Sequence, residues 1–266
     1  MIFYFTGTGN SQYAAQSILA PDERLISIKE AVWSRSYSYE LQEGEKVGFV
    51  FPVYFGGLPT ILVHFIRHLR LTGPDPDYIY AILTNGGGPL GADRMFRTHM
   101  EERGYLVDII YSLTMPDNYC ILYDVPSEEE ERKTLEKAEA NLSFLKNLIF
   151  KDMEDTGQED INYHASETIR PYHSGKKERL TTKLIYPLYI RGRKTEKFWV
   201  DDQCVGCHAC EQRCPAHAIK LINGRPEWVK DQCVFCLGCL RCGAIHYGKA
   251  DAKHGRYKHP IFRKNH

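Results

Sequence analysis

The stretch IFYFTGTGNS, residues 2–11, joins a short apolar run to a loop rich in glycine and hydroxyl side chains. The apolar run is typical of a buried strand, and the loop would open the first helix. Such a loop would place backbone N–H and O–H donors around a phosphate, at the positive end of the helix dipole. It lacks the Gly-Lys-Ser/Thr of a P-loop and the spacing of G-x-G-x-x-G, so ATP and NAD are poor candidates. A tight turn without a ligand is the alternative.

Strand-like and helix-like segments alternate through the first 150 residues. The strand-like segments are 2–5, 25–28, 47–53, 78–83 and 106–113, and the helix-like ones are 11–20, 59–69 and 90–103. Several strands are apolar throughout, as expected where a parallel sheet is covered on both faces. The pattern predicts an α/β fold, a doubly wound five-stranded parallel sheet. Its ligand site would lie at the carboxyl ends of the strands.

A last helix of this region is marked by a capping box at Ser127 and Glu130. Its apolar positions then repeat at steps of three and four residues: Leu135, Ala138, Leu142, Leu145 and Ile149. We therefore expect the first domain to end near residue 150.

Two further loops, PVYFGG at 52–57 and TNGGGP at 84–89, follow central strands. Their glycines would let the backbone approach a flat ring closely, and Tyr54 or Phe55 could stack on that ring. Flexible turns beside core aromatics are the alternative. The predicted binding residues are Thr6, Thr8, Gly9, Asn10, Ser11, Pro52, Val53, Tyr54, Phe55, Gly56, Gly57, Thr84, Asn85, Gly86, Gly87 and Gly88.

Eight of the nine cysteines lie in two runs, CVGCHACEQRCP at 204–215 and CVFCLGCLRC at 233–242. Thiolates at this spacing bind soft metals. Disulfides are disfavoured because nothing in the sequence suggests secretion. Zinc is the stronger competitor, but it needs only two C-x2-C pairs and gives no reason for three consecutive steps that are then repeated. Cys120, far from both runs, is expected to be a small buried hydrophobe.

These motifs carry a family resemblance. The first run resembles the ligand pattern of bacterial-type ferredoxins, in which the fourth cysteine of each run binds the other cluster. Residues 6–11 resemble the FMN phosphate loop of flavodoxins, and 52–57, 84–89 and 115–119 resemble further parts of that family. The whole chain therefore resembles flavodoxin–ferredoxin fusion proteins, which implies non-covalent FMN and two 4Fe–4S clusters. The implied ligands are Cys204, Cys207, Cys210 and Cys242 for the first cluster, and Cys214, Cys233, Cys236 and Cys239 for the second.

The second run departs from the family pattern. Cys239 and Cys242 are separated by two residues instead of three, and Gly243 stands in place of proline. Cys242 is therefore the least secure ligand, and the first cluster could be labile or of the three-iron type. His246 could substitute in principle, although a surface position is the more common role. Between the runs, Asn223-Gly224 predicts a type I′ hairpin joining 219–222 to 225–229.

Composition limits the remaining possibilities. The 266 residues include 34 basic and 34 acidic ones, so no basic excess points to nucleic acid. No apolar run reaches the ~18 residues that span a membrane, and we expect a soluble, cytoplasmic protein. The expected domains are 1–150, flavodoxin-like; 151–197, a linker with a possible short helix at 180–190; 198–250, a small α+β ferredoxin-like domain; and 251–266, a basic tail.

We expect an electron-transfer flavoprotein that passes single electrons between the clusters and FMN, with a redox protein as donor or acceptor. Val205 and Phe235 would keep water from the clusters. The linker is expected to be solvated and the tail loosely held, although either basic segment could dock an acidic redox partner. The alternatives are an FMN-dependent reductase of a small-molecule acceptor, or a zinc-binding module without redox chemistry. If one chain leaves its clusters too far from its flavin, a head-to-tail dimer is possible, although nothing in the sequence supports one.

Overall fold

A central sheet of five parallel strands organises the computed structural model, which describes residues 1–150, 169–249 and 253–263. The strands of the first 150 residues are β1 (Ile2–Tyr4), β2 (Leu25–Ser27), β3 (Ser38–Glu40), β4 (Lys46–Pro52), β5 (Arg70–Thr72), β6 (Tyr78–Asn85) and β7 (Ile109–Thr114). The sheet order is β2-β1-β4-β6-β7, and β3 pairs with β5 separately. This is the flavodoxin-like doubly wound order, so the predicted fold class is confirmed.

Helices cover both faces of this sheet. They are α1 (Asn10–Ile18), α2 (Ile28–Ser34), α3 (Thr60–His68), α4 (Ala92–Glu101) and α5 (Glu128–Phe150). Successive strand residues face opposite sides, so Phe49 packs in one core and Val50 in the other. Both sides are buried, which explains why the central strands are apolar throughout.

The local signals for α5 are confirmed. The backbone N–H of Ser127 donates to Glu130 Oε2 at 2.9 Å, and the N–H of Glu130 reaches Ser127 Oγ at 3.4 Å. By contrast, the predicted start of the fifth strand was wrong. Leu106 is 77% exposed, and β7 begins only at Ile109. The preceding residue, Asp108, accepts a hydrogen bond from the Ile79 N–H through its carboxylate at 2.7 Å.

Short antiparallel pairs form the region that contains the cysteine runs. Its elements are β8 (Phe198–Val200), α7 (Ala209–Arg213), β9 (Ile219–Ile222), β10 (Arg225–Trp228) and β11 (Ile245–Tyr247). β9 pairs with β10 and β8 with β11. Asn223 and Gly224 have φ angles of 52° and 77°, as a type I′ turn requires, so the predicted hairpin is confirmed.

A long helix, α6 (Lys176–Gly192), occupies much of the expected linker. The Thr182 hydroxyl donates to the Gly56 carbonyl at 2.8 Å, and the Tyr186 hydroxyl donates to the Leu58 carbonyl at 2.7 Å. The possible short helix at 180–190 is present, within α6. The expectation of a solvated linker was wrong for this segment, because one face of α6 packs on the loop that follows β4. The acidic beginning of the linker, 151–168, lies outside the described residues.

The basic tail is also ordered against the first domain over residues 253–263. Tyr257 and His259 are buried, and the His259 N–H donates to the Thr8 carbonyl at 2.9 Å. The expected loosely held terminus was wrong for these residues. No helix in the described ranges is both long and apolar enough to cross a membrane.

We predict that Leu142→Ala destabilises the fold, because Leu142 is 1% exposed in the core between α5 and the sheet. A cavity at such a site costs roughly 2–5 kcal/mol of unfolding free energy. Leu184→Ala is the matched control, since Leu184 is 67% exposed on α6, and it should change stability by less than about 0.5 kcal/mol. Urea unfolding followed by circular dichroism tests both, and equal losses would contradict the described packing.

Candidate functional site

A cavity of about 310 Å³ lies where the sheet prediction placed it, at the carboxyl ends of the strands. The loops after β1, β4, β6 and β7 all contribute to its wall. The predicted residues that line it are Thr6, Thr8, Asn10, Ser11, Pro52, Val53, Tyr54, Phe55, Gly56, Thr84, Asn85, Gly86, Gly87 and Gly88. The structure thus brings three separate sequence motifs to one site of ordinary ligand-pocket size.

The first loop presents donors to this cavity. Thr6 Oγ1 accepts a hydrogen bond from the Gly9 N–H at 2.9 Å, and Thr8 Oγ1 accepts one from Asn118 Nδ2. Since each hydroxyl oxygen is acting as an acceptor, its O–H remains available to donate to a ligand. None of the described lining residues is Lys, Arg or His. The loop therefore suits a phosphate held by neutral donors at the N-terminus of α1.

Two predicted residues, Gly9 and Gly57, do not line the cavity. A Cβ on Gly9 would lie 2.9 Å from His259 Cβ and 2.7 Å from Phe262, so the tail covers this glycine. A Cβ on Gly57 would lie 2.3 Å from the Tyr186 ring of α6. Both glycines admit other parts of the chain instead of facing the cavity.

Aromatic side chains form one wall of the cavity. Phe55 adopts a φ of 51°, uncommon for a residue with a side chain, and its ring meets Tyr119 edge-on at 5.4 Å. Tyr189 of α6 stacks on Phe55 at 5.8 Å. Asp117 lies under Gly86, where a Cβ would be 2.5 Å from its carboxylate.

The sequence prediction missed several lining residues. They are Gly7, Pro116, Asp117, Asn118, Tyr119, Leu122, Tyr123, Tyr189, Phe235, Cys236 and Leu237. The stretch 115–119 carried a family-like signal but had not been assigned to the site. Tyr189 and residues 235–237 come from distant parts of the chain, and no local pattern points to them.

The second cysteine set surrounds a small, largely apolar cavity. Its wall contains the four cysteines that the family resemblance grouped together, Cys214, Cys233, Cys236 and Cys239. Phe198 and Trp228, stacked at 5.1 Å, and Phe235 also line it. The Ala218 N–H donates to Cys214 Sγ at 3.3 Å, and the Phe235 N–H donates to Cys233 Sγ at 3.2 Å. Such donors stabilise negative charge on sulfur.

The first cysteine set lines a neighbouring cavity. Its cysteines are Cys204, Cys207, Cys210 and Cys242, and Cys239 of the other set lies in the same wall. Cys207 and Cys242 are exposed, whereas none of the second set is fully exposed. Although the second run is shortened, Cys242 still lies in the wall of the first cavity, at an exposed position.

The two sets differ in their electrostatic environment. Burial raises the pKa of Cys236 to about 12 and that of Cys233 to about 11, and it raises the pKa of Cys239 well above its usual value. In the first set, burial raises the pKa of Cys210 to about 11. Metal-free thiols in these surroundings stay protonated at neutral pH, so binding of a metal must release protons.

Two expected features of the cysteine region were wrong. Val205 is 85% exposed at the rim of the first cavity, so it excludes little water. His246 is neither at the surface nor in the wall of a cysteine cavity. Its Nε2 lies 2.9 Å from the Asp201 carboxylate, and its ring stacks on Trp199 at 4.3 Å. These contacts occupy the ring away from both cysteine sets.

Within the part of the chain that the structure describes, no three His, Cys, Asp or Glu side chains converge closely enough to hold a single metal ion. Cys120, whose sulfur was expected to be a buried hydrophobe, is 3% exposed in an apolar cluster.

The phosphate-type loop and the second cysteine set meet in one chain. Cys236 lines both the large cavity and the second cysteine cavity. A Cβ on Gly7 would lie 2.4 Å from the Cys236 carbonyl oxygen, so the two backbones are in contact. A head-to-tail dimer is therefore not needed to bring these sites together.

Comparisons with known proteins support an iron–sulfur site in the chain. A family model described as a 4Fe-4S binding domain matches residues 198–220. No curated protein matches the chain. The central sheet and this domain together show that the chain joins a flavodoxin-like fold to an iron–sulfur binding domain.

Solved structures resemble the chain only at low TM-scores. The Trp repressor binding protein from Bacillus subtilis is 17% identical over 52% of this chain and 96% of its own, with a TM-score of 0.34. An azoreductase from Bacillus anthracis is 12% identical over 55% and 98%, with a TM-score of 0.34. Rubredoxin oxygen:oxidoreductase from Desulfovibrio gigas is 16% identical over 56% and 36%, with a TM-score of 0.30. Scores this low support no inference about function.

We predict that Gly7→Ala disturbs the contact between the two sites. The atom that its Cβ would meet is a backbone carbonyl, which cannot move aside as a flexible side chain can. Such overpacking costs roughly 1–3 kcal/mol of unfolding free energy. Gly87→Ala is the control, because nothing lies within 4 Å of its added Cβ. Urea unfolding and iron content measure the effect, and a Gly7→Ala protein identical to the control would refute the close approach.

Proposed function

We propose that this protein is an electron-transfer iron–sulfur flavoprotein that passes single electrons between two 4Fe–4S clusters and FMN. The observation that carries the proposal is the position of Cys236, which lines the large cavity and the second cysteine cavity at once. A residue shared by the walls of two cavities leaves little material between them. Efficient electron transfer depends on such proximity.

The large cavity fits FMN in its chemistry. The donors of residues 6–11 suit the phosphate, and the glycines of 84–88 allow close backbone approach to a flat ring. Phe55, Tyr119 and Tyr189 form an aromatic wall beside it. When bound, FMN would supply a centre that accepts one or two electrons. The residues of the chain would orient the ring and keep water from one side of it.

The ligand chemistry of the cysteine cavities suits two clusters. The wall of the second cavity contains four cysteines, and that of the first contains four more together with Cys239. Apart from this shared residue, the division between walls is the crosswise one implied by the ferredoxin resemblance. Cys239 belongs to both walls, so the two sites adjoin each other as the second adjoins the flavin cavity. The order of sites is therefore first cysteine cavity, second cysteine cavity, flavin cavity.

The two cysteine cavities differ in exposure. Cys207 and Cys242 are exposed at the first cavity, while aromatic residues close the second. A redox protein would exchange electrons most directly at the exposed first cavity. The buried second cysteine cavity would pass electrons between the first cysteine cavity and the flavin cavity. It would not exchange electrons with molecules in solution.

Anaerobic purification tests the proposal directly. We expect a brown protein with flavin absorption bands, FMN released on denaturation, and about eight iron and eight sulfide per chain, as two 4Fe–4S clusters require. Zinc without iron would establish the zinc module instead. Turnover with quinones, nitroaromatics or oxidised thiols at rates above those with any redox protein would favour the small-molecule reductase.

We predict that Cys236→Ala interrupts transfer within the chain, because it removes a ligand of the middle site. The variant should keep FMN but lose about half of the iron and sulfide. After one-electron reduction by a pulse, the concentration-independent exchange between flavin and cluster absorption should disappear. Cys204→Ala, the matched loss from the outer site, should retain that exchange. Equal behaviour of the two variants would contradict the proposed order.

We predict that Cys242→Ala alters only the outer cluster. Its thiol lies at an exposed rim, so loss of this ligand should leave a three-iron cluster with its own electron paramagnetic resonance spectrum. Cys120→Ala is the control and should leave the spectrum unchanged, because Cys120 lines neither cysteine cavity. An unchanged spectrum in Cys242→Ala would show that this cysteine is not a ligand.

A further inference from the structure

We propose that residues 254–263 are a functional part of the FMN site, a strap that fixes the phosphate loop from its outer side. The inference rests on the proposed function, because it concerns how the chain holds FMN. It assigns positioning roles to Tyr257 and to the backbone N–H of His259. Neither residue lines the cavity itself.

The strap satisfies hydrogen-bond acceptors of the loop. The His259 N–H donates to the Thr8 carbonyl at 2.9 Å. The Tyr257 hydroxyl donates to Asn10 Oδ1 at 2.7 Å, in a buried position. Asn10 Nδ2 in turn donates to the Pro116 carbonyl at 3.0 Å, so the Asn10 side chain is held from both ends.

These bonds have an electrostatic consequence for an anionic ligand. A carbonyl or amide oxygen turned towards a phosphate repels it, whereas N–H groups attract it. The strap engages the oxygens of Thr8 and Asn10 and holds them in one orientation. The donors of residues 6–11 can then face the cavity without reorganising when the ligand binds, which favours tight binding.

The strap lies so close to the loop that a side chain at Gly9 would collide with it. Gly9 has a φ of 110°, and an added Cβ would lie 2.7 Å from Phe262 and 2.9 Å from His259. The ring of His259 stacks on Tyr13 of α1 at 4.1 Å, and the residue is 4% exposed. Burial and the nearby Arg263 lower the pKa of His259 to about 4, so a neutral ring packs here.

Contacts on both sides hold the strap in place. At the start of the strap, His254 Nδ1 lies 2.6 Å from the Cys120 carbonyl, and the Gly255 N–H donates to the Asp124 carboxylate at 2.7 Å. At the end of the strap, Arg263 donates to both carboxylate oxygens of Glu131 at 2.5 and 2.6 Å. The strap therefore crosses the loop between two fixed points.

The strap also contacts the region that contains the cysteine runs. An Arg256 guanidinium nitrogen lies 3.1 Å from His246 Nδ1, on the strand β11 that follows the second cysteine run. The strap thus runs from the iron–sulfur domain to the flavin loop. Folding of the C-terminal region would complete a site that begins at residue 6.

The experiment compares FMN with riboflavin, which lacks the phosphate, in full-length variants. Tyr257→Phe deletes only the hydroxyl that reaches Asn10. We expect it to weaken FMN binding about tenfold, the size expected for one buried hydrogen bond. Riboflavin affinity should stay within about twofold, since the strap acts on the phosphate loop. Anaerobic fluorescence titration measures both, and iron and sulfide content should not change.

A second pair of variants isolates the backbone bond. The φ of His259 is −52°, which proline also adopts, so His259→Pro removes the N–H without changing the φ required at this position. His259→Ala keeps the N–H and removes only the ring. We expect FMN affinity to fall further in His259→Pro than in His259→Ala, with faster hydrogen exchange of amides 7–11. Ile261→Ala, at an exposed strap position, should match the wild type.

The outcomes separate the two proposals. If the wild-type chain binds neither FMN nor riboflavin, the proposed function fails. If it binds FMN but Tyr257→Phe and His259→Pro bind it equally well, the strap proposal fails alone. A parallel loss of FMN and riboflavin affinity would also overturn it, because it would show a general structural defect and no specific action on the phosphate loop.

Discussion

The contact between the Gly7 backbone and the Cys236 carbonyl is the constraint on which the arrangement of sites depends. It sets the first loop of the sheet against the second cysteine run, and only a residue without a side chain permits it. Other contacts maintain this approach. The Tyr189 hydroxyl donates to the Val234 carbonyl at 2.8 Å while accepting from the Thr60 N–H at 3.3 Å, which ties the cysteine region to the start of α3 through α6.

Sequence patterns predicted the parts of the molecule that are determined by local burial. A strand covered on both faces must be apolar throughout, so β4 and β6 were evident as continuous runs. Parallel strands bring their carboxyl ends to one edge, and the glycine-rich loops could therefore be assigned to a common site. The Asn223-Gly224 turn was predictable because few residues tolerate two successive positive φ angles.

The remaining features depend on contacts between distant residues, which leave no local pattern. The buried face of α6 is defined by the loop that it covers. Tyr189 of this helix donates to the Val234 carbonyl and stacks on Phe55, and both partners are distant in sequence. The order of the tail follows from Asn10 and Thr8, which lie about 250 residues earlier in the chain. Val205 resembles a core residue by type, yet it lies at an open rim.

The distance in sequence between Gly9 and the residues that cover it also bears on biosynthesis. The first loop leaves the ribosome well before His259 and Phe262, which lie far later in the chain. A nascent chain therefore carries this loop with the Thr8 and Asn10 oxygens lacking their partners from the tail. Closing a contact of such high sequence separation is slow compared with forming local helices. The loop therefore gains its final contacts only after His259 and Phe262 have been synthesised.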